Sequence, residues 1–130
     1  MVSGMIGGPE GAQGQFASWE RDPDVVFILD RELRIVFCNA AWDRFAREND
    51  GESLLRPAPY GNSVLDAVPE RLKRLYASAY RQVLMTCKDW EHHYECSSPQ
   101  VYRMFRMTVQ LDRTASFLVV RNSLIEKRAK

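Results

Sequence analysis

The sequence is short of the features that mark specialised classes of protein. Its 130 residues include only three cysteines, Cys38, Cys87 and Cys96, an odd number at wide spacings. That excludes a disulfide framework and points to a reducing compartment. No apolar stretch approaches the ~20 residues that span a bilayer. No basic flank leads into an apolar run at the N-terminus, so no signal peptide is read there. A soluble, cytoplasmic chain with no membrane partner is expected. Charge of one sign is also missing: 18 basic residues stand against 17 acidic ones, a net charge of +1, and nothing global points to nucleic acid. There is no glycine-rich phosphate loop, and no spacing pairs a nucleophile with a base as in a Ser-His-Asp or Cys-His site.

What is there describes an ordinary globular domain. Apolar residues make up 45% and charged residues 27%, and the length suits one domain with a core of its own. Five of the seven glycines fall within residues 1–15, which read as a flexible tail. Phe16, Ala17 and Trp19 suggest a short helical cap on a domain spanning 16–125, with 126–130 opening a linker or signalling segment. Val25–Asp30 and Arg34–Cys38 are β-branched and aromatic runs separated by Asp30-Arg31-Glu32-Leu33, a hairpin with an aspartate to bond its turn. Asn39 stands at an N-cap position before a helix bearing Ala41, Trp42 and Phe45, and Gly51 lies just past its expected end. Ser63 is placed to cap a short turn through Ala67. Pro69 opens a long helix whose apolar residues, Leu72, Leu75, Tyr76, Ala79, Tyr80, Val83, Leu84 and Cys87, repeat at helical spacing. Trp90–Cys96, Tyr102–Leu111 and Ser116–Arg121 read as three closing strands. The order predicts an α+β domain: a five-stranded antiparallel sheet with the helices covering one face.

This arrangement resembles the PAS family of sensor domains. The residues that carry the resemblance are PDVVFILDRELRIVFCNAAWDRFA (Pro23–Ala46), where a hairpin runs into an asparagine-capped helix, and ECSSPQVYRMFRMTV (Glu95–Val109), and it covers roughly Asp22–Ile125. Many PAS domains end their last strand in an Asp-Ile-Thr-like motif, where this chain has Arg121-Asn122-Ser123. The resemblance implies a cavity between the long helix and the sheet that holds haem, flavin or a small molecule in some members and nothing in others. Haem-binding members commonly supply the iron ligand from the long helix, which here has no histidine. Phe37-Cys38-Asn39 does not match the cysteine motif of the flavin photosensors. The cofactor is left unassigned.

These faces supply the candidate ligand-contacting residues. Tyr76, Tyr80, Val83 and Leu84 lie on the apolar side of the long helix. Phe105, Met107 and Val109 alternate along one strand, as do Phe117 and Val119 on the next. His92 and Tyr94 share parity and are expected to face inward. Each is also an ordinary core residue by type. His92-His93-Tyr94-Glu95-Cys96 is not read as a metal site, because along a strand His92 and Cys96 stand about 13 Å apart. Arg103 and Arg121 have the parity of the apolar sets, so either is a candidate to hold a carboxylate. Three functions compete on this reading. The first is a sensor whose cavity binds a small apolar or aromatic ligand and relays its occupancy to an effector domain or partner protein, as a homodimer. The second is a ligand-free dimerisation module, which an exposed patch at Phe16 and Trp19 would support. The third is an enzyme using an inward Asp66, His92 or Glu95; a non-enzymatic role is preferred.

Overall fold

A computed structural model describes residues 14–130. Residues 1–13, most of the stretch expected to be a tail, lie outside the described residues. Val25–Leu29 (β1) and Ile35–Cys38 (β2) form the expected hairpin. Its turn closes on Asp30, whose Oδ1 accepts the backbone N–H groups of Glu32 and Arg34, both at 2.9 Å. Leu33 adopts a left-handed φ of 65°, a conformation its β-carbon disfavours. Its side chain is nevertheless buried, which offsets that local cost. Val36 is an extra residue on β2, since Phe37 pairs with Ile28 while Ile35 pairs with Leu29.

Asn39 caps the helix Ala40–Glu48, and Ser63 caps a 3-10 turn at Val64–Ala67. Gly51 does not take the left-handed position after the first of these; Asp50 does, at φ 59°. The glycine instead approaches closely, with its N–H 2.7 Å from the Ala46 carbonyl oxygen, where an added β-carbon would come within 3.3 Å. Pro69 precedes the long helix Glu70–Thr86 as its N-cap. That helix ends at Cys87, which turns left-handed at φ 62° and is exposed. Leu75 is also exposed, so the buried stripe of the helix, built on Ala77, Tyr80 and Val83, is narrower than the apolar spacing suggested. The helix rests mainly on strands and on the 3-10 turn.

Trp90–Glu95 (β3), Val101–Leu111 (β4) and Leu118–Ala129 (β5) complete an antiparallel sheet in the order β2-β1-β5-β4-β3. The last strand in sequence therefore lies at the centre, and the helices carry the chain from one edge to the other. β5 runs well past its expected end at Arg121 and pairs with β4 as far as Val101 opposite Ala129. At β1, β2 and the start of β5 the sheet buries both faces. On the inner face, Phe27, Leu29, Val109, Leu118 and Val120 pack with Tyr80 and Val83. On the outer face, Val26, Ile28, Phe37 and Val119 are covered by Phe16 and Trp19. Numbering helices in chain order, the short helix Ala17–Glu20 is α1, Ala40–Glu48 is α2 and Glu70–Thr86 is α3.

Candidate functional site

α2 and α3 do not fill all the space above the inner sheet face. Between them and the sheet lies a cavity of about 670 Å³. Trp42 and Phe45 enter it from α2, and Leu72, Tyr76 and Tyr80 from α3. The sheet contributes Phe27, Tyr94, Phe105, Met107 and Asn122. Edge-to-face aromatic pairs hold the walls: Phe27 with Trp42 at 5.6 Å, Phe45 with Phe105 at 5.7 Å and Tyr76 with Tyr80 at 6.2 Å. Such pairs fix ring orientation as well as filling volume. The indole nitrogen of Trp42 donates to the Leu54 carbonyl at 2.8 Å, so the ring's polar edge is satisfied.

The polar groups of the cavity are few. The Tyr94 hydroxyl donates to Asn122 Oδ1 at 2.6 Å. Among the described residues neither Asn122 Nδ2 nor the Tyr80 hydroxyl has a hydrogen-bond partner, although Tyr80 is only 1% exposed. Among the described residues no fully sealed side-chain polar atom lacks a partner, so these two atoms keep access to the cavity that their residues border. Burial pushes the Tyr80 and Tyr94 phenols well above their ordinary range, and neighbouring ionisable side chains add to the effect. Both are neutral donors at any physiological pH. Arg71 and Glu95 also border the cavity and are exposed.

Of the residues expected to contact a ligand, Tyr76, Tyr80, Tyr94, Phe105 and Met107 border the cavity. Val83 and Leu84 do not: they lie a turn further along α3 and pack in the inner core. His92 does not border it either. Its ring stacks on Trp90 at 5.3 Å and Tyr94 at 6.4 Å in a ladder along β3. Phe117 is a correction, because it faces the opposite side of the sheet, where its ring meets Phe16 at 5.1 Å. Phe117, Leu118, Val119 and Val120 are all apolar because β5 is buried on both faces, so alternation alone left its parity open. It is Leu118 and Val120 that face the helices.

The arginine expectation is corrected in the same way. Arg121 lies on the outer face, 2.8 Å from Asp22 and 3.0 Å from Asp24, with its guanidinium 5.4 Å from the Trp19 ring. Arg103 pairs with Lys127 beyond an irregularity at Met104/Phe105 and does not border the cavity. Asp66 and Glu95 are exposed rather than inward. Among the described residues no group of three or more His, Cys, Asp or Glu side chains is arranged to hold a metal ion. Phe27, Trp42, Phe45, Leu72 and Asn122 are among the bordering residues that sequence reasoning missed. The spacing of Trp42 and Phe45 after the Asn39 cap had put both on a buried face. Asn122 stands between Arg121 and Ser123, so its polarity alone did not single it out.

A sequence profile for the family described as PAS fold matches residues 19–112. No curated protein matches the sequence. Among solved structures, the PAS domain of the Cronobacter turicensis quorum-sensing receptor RpfR, in complex with BDSF, is similar at a TM-score of 0.59 and 15% identity, over 82% of this chain and 97% of that one. The phage VqmA–DPO complex is similar at 0.63 and 12% identity, over 94% of this chain but only 56% of VqmA. The PAS domain of Bordetella pertussis BvgS is similar at 0.60 and 14% identity, over 90% and 86%. Among the described residues no helix is long and apolar enough to cross a membrane.

Proposed function

Because this chain belongs to the PAS fold family, we propose that it is a sensory module that binds a small apolar or aromatic ligand between α3 and the sheet and passes its occupancy to an effector. The observation that carries the reading is the cavity of about 670 Å³ with its predominantly apolar walls, several of them aromatic. That volume lies in the range of small-molecule sites, and its few polar groups are placed to orient a guest. The RpfR PAS domain and phage VqmA, two proteins of similar fold, are in complex with BDSF and with DPO, which supports a ligand-binding use here. Tyr76, Tyr80, Tyr94, Phe105 and Met107 are the ligand-contacting residues of this proposal, joined by Trp42, Phe45 and Asn122.

The route outward starts on β5. Asn122 faces the cavity, while its neighbours Arg121 and Ser123 face out. Arg121 holds Asp22 and Asp24, and the Ser123 hydroxyl donates to Asp24 Oδ2 at 2.9 Å. A ligand that changes the partners of Asn122 therefore bears on the strand segment that anchors the approach to β1. Any signal requires that the ligand bind two arrangements of this segment with different affinity. A homodimer, as expected from the sequence, is part of the same proposal. The ligand-free module has less support, because Phe16 is 5% exposed and does not form the exposed patch that reading needs.

Native mass spectrometry of the purified protein, with an absorbance spectrum on the same sample, tests the proposal. An added mass that vanishes on denaturation supports the sensor, and a visible band narrows the ligand to haem or flavin. A bare mass that persists after incubation with cell extract rules in favour of the ligand-free module.

A further inference from the structure

The polar groups of the cavity restrict its occupant more than its volume does. Tyr80 is almost wholly buried and borders the cavity, and its hydroxyl has no partner among the described residues. A hydroxyl so placed is left to exchange hydrogen bonds with whatever fills the cavity. The Tyr94 hydroxyl donates to the amide oxygen of Asn122 at 2.6 Å, which leaves the Nδ2 protons for the cavity. Tyr80 and Asn122 thus offer donors to an incoming group, the Tyr94 proton being committed to Asn122. No opposing cation accompanies them. Arg71 is the single cationic side chain among the described cavity-bordering residues, and it is exposed. An anion brought to Asn122 would lose its water without gaining a counter-charge.

Resting on the sensor reading above, we infer that the cavity selects an uncharged ligand: an apolar ring or chain with a carbonyl, ring nitrogen or similar acceptor that takes the Asn122 amide N–H and exchanges a hydrogen bond with the Tyr80 hydroxyl. The apolar body fills the space between Trp42, Phe45, Phe105 and Met107.

Three probes that share one body separate the possibilities: naphthalene, 2-naphthamide and 2-naphthoate. Each is titrated at neutral pH into the whole ¹⁵N-labelled chain and followed by NMR. The amide is expected to bind about tenfold tighter than naphthalene and at least about a hundredfold tighter than the carboxylate. It should also shift the side-chain amide signals of Asn122. Tyr80→Phe and Asn122→Leu should each weaken the amide about tenfold and leave naphthalene within about twofold. Asn122→Leu also strips Tyr94 of its partner; if that variant does not fold, Tyr80→Phe and the ranking of probes on the wild type decide. Carboxylate binding as tight as the amide, and lost in Arg71→Gln, would overturn the inference in favour of an anionic ligand. Naphthalene binding as tight as the amide would overturn it too, since the polar groups would then be idle. Both results leave the sensor reading standing. Failure of all three probes to bind counts against the inference and the sensor reading together.

Discussion

Asn39 ties three parts of the molecule together, and its removal has a cost that can be worked out. The residue is fully buried. Its Oδ1 accepts the Val26 N–H at 3.1 Å and the Trp42 N–H at 3.2 Å. Its Nδ2 donates to the carbonyls of Trp19, Asp22 and Asp24 at 3.0, 3.3 and 2.9 Å. Asn39→Ala removes the cap of α2, about 1 kcal/mol, and strands the Val26 N–H inside the protein, roughly 1–3 kcal/mol more. The three carbonyls regain water in part and add less. A total loss of about 3–4 kcal/mol is expected from a stability typically of about 5–15 kcal/mol. For a domain of this size that lowers Tm by roughly 12–16 °C. Urea titration should show a lower midpoint with an unchanged slope. Asn39→Asp is the sharper test. It keeps both acceptors but turns a carboxylate oxygen toward three carbonyl oxygens, so at neutral pH it should cost at least as much as alanine. Its deficit should shrink in acid, where a protonated carboxyl can donate again. An aspartate variant within about 1 kcal/mol of wild type at neutral pH, less than a single lost cap, would refute the three-carbonyl arrangement.

Phe16→Ala should destabilise the protein by about 3 kcal/mol, because the ring is buried against Phe37 and Phe117; a melting temperature equal to wild type would mean that α1 is not docked on the sheet. Burial works to raise the pKa of Asp22, but the Arg121 guanidinium and the Asp24 N–H outweigh it and hold the carboxyl below its ordinary value. A depressed carboxylate contributes stability above its unfolded pKa of about 3.9 and loses that contribution as pH falls through the folded value. Arg121→Gln should therefore cost stability at neutral pH and progressively less below about pH 4, whereas a deficit that stays constant with pH contradicts the pairing. Cys87 and Cys96 are exposed and should react quickly with a thiol reagent, while Cys38, buried and with its thiol pushed up by that burial, should react only on unfolding; a third fast thiol would show β2 open to solvent. Sedimentation over a range of concentrations should reveal a dimer, and a monomer throughout would remove the homodimer from the proposal.

The elements of the fold were legible because each rests on local chemistry. Asp30 bonds its own turn, Asn39 caps α2, Ser63 caps the 3-10 turn, and the apolar spacing from Leu72 onward belongs to a helix whatever surrounds it. The family was legible for a related reason: hairpin, capped helix and closing strands come in one order along the chain. Parity on β5 was not legible. Its residues are apolar on both faces because the strand is central, and that position comes from pairing with β1 and β4, which are distant in sequence. So Phe117 was placed on the wrong face, and Arg121 was considered for a carboxylate inside when it holds two aspartates outside.

The sequence by itself determined most strands and helices, the far half of β5 excepted, and which residues of α3 are apolar, since these depend on neighbours within a few residues. Only the tertiary structure decided which of those residues border empty space. Tyr80 and Val83 are equally buried and lie three positions apart on one stripe. Tyr80 borders the cavity and Val83 packs solidly, because α2 and the sheet leave a gap at one end of the helix and none at the other. A cavity is a mismatch between surfaces brought together from distant parts of the chain, and no periodicity within a single element encodes it.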